Sequence, residues 1–94
     1  MKHYIIAKCT DSVSDITGFV KKAEAHFQAI TEVEGVYAVR VVEGIREGAN
    51  RFHIMIEIDM DRSALKAYDE SDCHHEWKEK FGPYLEKKTI FDYE

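Results

Sequence analysis

Residues 52 to 60 alternate sharply. Phe52, Ile54, Ile56, Ile58 and Met60 fall on one side of an extended chain, and His53, Met55, Glu57 and Asp59 on the other. An apolar row at period two reads as a strand with one covered face, so the chain has to build a sheet with a second layer against it. The predicted strand runs from Arg51 to Met60. Before it, Val36 to Glu43 is rich in β-branched residues and reads as its partner. Gly44-Ile45-Arg46-Glu47-Gly48-Ala49-Asn50 supplies the turn, and the two strands form an antiparallel hairpin.

The flanking segments complete the pattern. Lys2 to Thr10 reads as a first strand, with His3, Ile5, Ala7 and Cys9 on one face and Tyr4, Ile6 and Lys8 on the other. Asp11-Ser12-Val13-Ser14-Asp15 is rich in helix-capping residues. Ser12 or Ser14 is the expected acceptor, and Asp15 suits the positive end of the helix dipole. Ile16, Phe19, Val20, Ala23, Phe27 and Ile30 then recur at helical spacing, with His26 on the flank as an expected surface residue. Gly35 is placed to stop that helix. Asp61 opens a short helix through Glu70, with Leu65 and Tyr68 on one side. Ser71 or Asp72 caps another, in which His74, Trp77, Lys78 and Phe81 share a face while His75 points elsewhere. Gly82-Pro83 ends it, and Tyr84 to Tyr93 is the last strand.

The order β-α-β-β-α-α-β predicts an α+β, ferredoxin-like domain with its helices over one sheet face. The whole chain, 1 to 94, is read as one domain. These helices are too few to cover both faces, and the Phe52 to Ile58 row is too apolar to leave wet. The expectation is therefore a homodimer in which two sheets pack face to face.

Composition excludes several roles. A formal charge of −5 with no basic patch argues against a nucleic-acid partner. The N-terminal apolar run is too short for a signal peptide or membrane span, so no membrane role and a cytoplasmic location are expected. Cys9 and Cys73 are far apart and form no C-x-x-C, which reads as two reduced thiols. His3, His53, His74, His75, Cys73 and Glu76 are metal-ligand types, but no H-x-x-x-H or H-E-x-x-H spacing occurs. No metal is expected.

Chemistry-bearing residues concentrate between Tyr68 and Phe81, which hold the single tryptophan, one cysteine and two histidines. Lys2-His3 opening the first strand, Glu34-Gly35-Val36 before the second, Tyr68 followed six residues later by His74, and the ending Phe91-Asp92-Tyr93 together resemble the stress-responsive A/B barrel (Dabb) family. The resemblance covers essentially the full length and implies a dimeric α/β barrel without a cofactor. It also implies Tyr68 and His74 as a catalytic pair, matching a plant polyketide cyclase of that family, with His3, His53 and Asp92 alongside. The family's usual His-Pro before the key histidine is replaced by Ser71-Asp72, which alters the loop that orients His74.

In the chemistry so implied, His74 takes a proton from a carbon acid and the Tyr68 hydroxyl donates to the developing enolate oxygen. Asp92 sets the histidine's tautomer, and Trp77 and Phe81 keep the site dry. His3, His53, Trp77 and Asp92 are the expected ligand-binding residues. Lys88 and Glu57 place charge near the pocket and disfavour a long alkyl substrate. The expected function is binding of a small organic molecule with acid/base chemistry on a carbonyl compound. The alternatives are a structural or ligand-binding dimer, and a cofactor-free monooxygenase-like barrel.

Overall fold

The computed structural model describes all residues from Met1 to Glu94. Its strands are β1 (Lys2–Cys9), β2 (Val36–Glu43), β3 (Ile54–Met60) and β4 (Leu85–Tyr93), and its helices α1 (Ile16–Phe27), α2 (Leu65–Glu70) and α3 (Asp72–Glu76). α3 runs on into a π-helical turn at Trp77–Phe81 and a 3-10 turn at Gly82–Tyr84. The sheet order is β2-β3-β1-β4, with every neighbouring pair antiparallel. This is the ferredoxin-like α+β fold that the element order predicts.

Register decides which side of the sheet the helices take. Ile5 stands opposite both Ile56 and Ile90, and His3 opposite both Ile58 and Asp92. Directly opposed residues share a face, so Ile5, Ala7, Ile54, Ile56 and Ile58 form one apolar surface. Val20, Ala23, Phe27 and Ile30 pack onto it from α1 and the 3-10 turn that follows. Ile54, Ile56, Ile58 and Met60 keep at most 1% of their exposure. The row expected to meet a second sheet is thus covered by the chain's own helices. The face left open is the other one, which carries Tyr4, Ile6, Met55, Phe91 and Tyr93.

The helix layer stops short of the edge strand β4. Lys88, Ile90 and Asp92 point to the helix side, yet Ile90 remains 48% exposed. This uncovered strip borders the site described below.

Local signals place the helix ends. Asp15, rather than Ser12 or Ser14, caps α1 and accepts from the Gly18 N–H at 2.9 Å. Gly35 turns the chain into β2 with φ +87°, where a Cβ would stand 2.9 Å from the Ala64 Cβ. Gly35→Ala is therefore expected to lower stability by more than about 1 kcal/mol, read from the urea midpoint.

Candidate functional site

A single residue, Ser71, separates α2 from α3. Its hydroxyl donates to the Tyr68 carbonyl at 2.6 Å and accepts from the His74 N–H at 3.2 Å. One side chain thus satisfies the end of one helix and caps the start of the next. The extended backbone at Ser71 (φ −67°, ψ 151°) makes the corner. The fold-back sets the His74 ring 4.7 Å from the Tyr68 ring.

His74 is oriented by a backbone group. Its Nδ1 lies 3.0 Å from the Asp69 carbonyl. A carbonyl only accepts, so Nδ1 carries the proton and Nε2 is the free basic nitrogen. Burial lowers the His74 pKa first, and the Lys78 and Lys88 charges lower it further; the Asp69 hydrogen bond and carboxylate act the other way. The net shift is downward, so this imidazole is neutral at pH 7.

The sheet supplies the other wall. His3 and Asp92 are register partners across β1 and β4, and the His3 Nδ1 donates to the Asp92 carboxylate. The His3 ring meets the Tyr68 ring edge-on at 5.1 Å. Tyr68 is fully buried at this junction, and its hydroxyl has no hydrogen-bond partner. Burial raises its pKa far above the usual phenol value, and the charges of Asp69, Cys73 and Asp92 add to the shift. The hydroxyl therefore stays protonated and keeps its donor character.

The tertiary structure brings together His3, Tyr68, His74 and Asp92 from the six expected site residues. His53 lies elsewhere, because its Nδ1 accepts from the Cys9 N–H at 2.9 Å and its Nε2 faces Glu47 at 3.2 Å. Cys9 is at the opposite end of β1 from His3, about 20 Å away at 3.3 Å per residue. Trp77 is 1% exposed and packs between Phe27 and Phe81, at 5.2 and 5.1 Å. A ring so enclosed has no face for a ligand. The buried stripe of α3 is Cys73 with Trp77, and His74 sits on its flank. Glu57 is on the opposite side of the sheet, paired with Arg40 at 2.7 Å and Lys2 at 3.5 Å.

Two contacts had no clear signature in the sequence. The Asp69 carbonyl belongs to the backbone, so no side-chain motif announces it. His26 is not a simple surface residue: its Nε2 donates to the Cys73 carbonyl at 2.8 Å, and the Cys73 thiol reaches back to the His26 carbonyl at 3.6 Å. This pair staples α1 to α3. Burial, with a smaller push from Glu76, raises the Cys73 pKa to about 11, so the thiol is inert.

The principal cavities lie away from this cluster. The largest groove, about 760 Å³, runs between α1 and residues 80 to 84 and is lined by Phe19, Lys22, Phe81 and Tyr84 among others. None of the five main cavities is lined by His3, Tyr68, His74 or Asp92. Tyr68 itself is enclosed by packing, and the uncovered helix-side strip of β4 carries Asp92, the partner of His3.

The family model for the stress responsive A/B barrel domain matches residues 1–94. The chain belongs to this Dabb family. No curated protein matches it. Among solved structures it is similar to an Arabidopsis thaliana protein at 18% identity and TM-score 0.80, covering 99% of this chain and 92% of that one. A dimeric ferredoxin-like protein of unknown function from Thermobifida fusca matches at 13% identity and TM-score 0.82, covering 98% and 87%. A hydroxynitrile lyase from Passiflora edulis matches at 13% identity and TM-score 0.75, covering 98% and 89%. At these identities the likeness establishes the shared fold.

Two measurements probe this Dabb-family site. Tyr68→Phe removes a buried hydroxyl that lacks a partner, so urea unfolding should show a protein at least as stable as the parent. A loss beyond about 1 kcal/mol would mean the hydroxyl is bonded after all. An NMR titration of His74 should give a midpoint below its ordinary value of about 6.5. In the window below that value the unfolded chain takes the proton first, so stability falls with falling pH, and His74→Gln should remove that part of the slope.

Proposed function

We propose that this protein binds a small carbonyl compound between α2–α3 and the β4 edge and moves a proton at the carbon beside the carbonyl. The observation that carries this reading is the unpartnered, buried Tyr68 hydroxyl next to a neutral His74. With Nδ1 held by the Asp69 carbonyl, Nε2 is the nitrogen that receives the proton. As it does so, the electron pair of the C–H bond moves toward the carbonyl oxygen. The Tyr68 hydroxyl donates to that oxygen, and its raised pKa keeps the phenol protonated. His3, tied to Asp92, backs the tyrosine ring from the sheet. A hydroxynitrile lyase on the same fold supports lyase-type chemistry here.

A second reading, a binding or structural protein without turnover, is favoured by the full burial of Tyr68, whose hydroxyl faces none of the five main cavities. Uptake of solvent deuterium by a panel of small ketones and oxo acids separates the two. Exchange should be detectable by 1H NMR. His74→Ala should cut it by about 10²- to 10⁴-fold, the usual worth of a general base. Tyr68→Phe should cost about 10²- to 10³-fold, the usual worth of an oxyanion donor. Undiminished exchange in both variants would rule out the assignment.

The same proposal includes a homodimer and residence in the cytoplasm, where the unpaired Cys9 and Cys73 stay reduced. The open sheet face presents Phe91, 60% exposed, and a parallel stack of Tyr4 on Tyr93 at 6.0 Å. Aromatic surface of this kind suits an interface, and a structural relative is described as dimeric. Sedimentation at micromolar concentration should show twice the 10.9 kDa chain mass. A species of the single-chain mass, unchanged on concentration, would overturn it. No helix is long and apolar enough to cross a membrane.

A further inference from the structure

The largest cavity of the molecule is separate from the Tyr68–His74 cluster. This groove of about 760 Å³ takes one wall from α1 and the other from residues 80 to 84. Gly18, Phe19, Lys22, Ala25 and His26 recur at three- and four-residue spacing, so they form one stripe of α1. It runs beside the stripe of Val20, Ala23 and Phe27 that packs on the sheet. Three aromatic rings meet across the groove. Phe19 stands edge-on to Phe81 at 5.5 Å and to Tyr84 at 6.5 Å. The His26 ring lies 5.3 Å from that of Phe81, and its Nε2 is fixed on the Cys73 carbonyl. The rings thus hold one another in place before any ligand arrives, which lowers the cost of binding. Phe81 also ends the π-helical turn Trp77–Phe81, an irregularity that occurs often at functional sites.

The charges on the walls are unevenly matched. Lys80 is bridged to Glu76 at 2.8 Å, and the Asp15 carboxylate accepts from the Gly18 N–H at the start of α1. Lys22 is exposed and belongs to none of the chain's ion pairs. We infer that this groove binds an aromatic acid, a flat ring system lying against Phe19, Phe81 and Tyr84 with its acid group on the Lys22 ammonium. The volume falls in the range of sites for small organic molecules. An organic cation would also find aromatic faces here, but it would meet two ammonium groups. The net charge of −5 repels anions in general, so affinity rests on the rings and the free ammonium adds the preference for an acid. The groove shares no lining residue with His3, Tyr68, His74 or Asp92, so the inference is independent of the carbonyl-binding reading.

Anilinonaphthalene sulfonate and its uncharged counterpart phenylnaphthylamine serve as probes, with fluorescence titration for affinity and NMR for position. Nuclear Overhauser contacts should run from the rings of the sulfonate to Phe19, Phe81 and Tyr84. Lys22→Ala should weaken the sulfonate about three- to fivefold, the upper worth of an exposed ion pair, and leave the uncharged probe unchanged. Tyr84→Ala should weaken both probes about three- to tenfold through the lost aromatic contact. Both side chains are exposed, and the Tyr84 carbonyl that accepts from the Thr10 N–H at 2.8 Å is kept, so both variants should fold. Probe contacts confined to Tyr4, Phe91 and Tyr93 on the open sheet face would overturn the site. An unchanged sulfonate affinity in Lys22→Ala would overturn the assignment to an acid. Loss of self-association in Tyr84→Ala, read by sedimentation, would make the groove an interface between copies of the chain and overturn the inference.

Discussion

The structure depends on the pairing of its two central strands. β1 and β3 set Ile5 against Ile56 and His3 against Ile58, and that parity puts the apolar row of each under the helices. A slip of one residue would send Ile54, Ile56 and Ile58 to the open face and bring Met55, Glu57 and Asp59 inward. Burying those two carboxylates in place of isoleucines would be prohibitive. The same parity carries the site. His3 is one more residue of the inward row, and β4 pairs with β1 so that Asp92 arrives beside it. The core and the His3–Asp92 contact therefore have one cause.

A second constraint is the corner at Ser71. Two short helices would leave free carbonyls and N–H groups at their junction. The Ser71 hydroxyl serves one of each, and the Asp69 carbonyl is taken up by the His74 ring. Groups that helix ends commonly leave to water are used here to set the angle between Tyr68 and His74. The cost falls on the Tyr68 hydroxyl, which is buried without a partner, a departure of the kind that concentrates at functional sites. The π-helical turn that follows is another local irregularity, and it lies between the buried Trp77 and the partly exposed Phe81.

Much of the fold was legible because its signals are local. The alternation of residues 54 to 60 announced β3 and the Ile16-to-Ile30 periodicity announced α1, whereas Gly35, expected to stop that helix, lies beyond the 3-10 turn ending at Glu32 and serves the turn into β2 instead. The Tyr68–His74 pairing was legible only through family resemblance, since their spacing alone does not say that the chain folds back at Ser71. Trp77 misled because helical spacing put it on the same face as His74. In the structure the core claims Cys73 and Trp77 and leaves His74 on the flank. His53 misled in another way: both ring nitrogens are occupied by local partners far from the cluster.

By itself, the sequence determined the element order, the ferredoxin-like class and the chemical character of each strand face, because hydrophobic period and turn residues act over a few positions. Only the tertiary structure decided which sheet face the helices cover, since both faces of β1 carry apolar side chains and pattern alone does not rank them. It also decided which histidines meet. His3 and His74 are distant in the chain and converge on Tyr68 through strand register and one hydroxyl-bonded corner, while His53, in the bend just before β3, is held at the far end of β1. Such contacts arise from long-range pairing, whose energy no short window of residues contains.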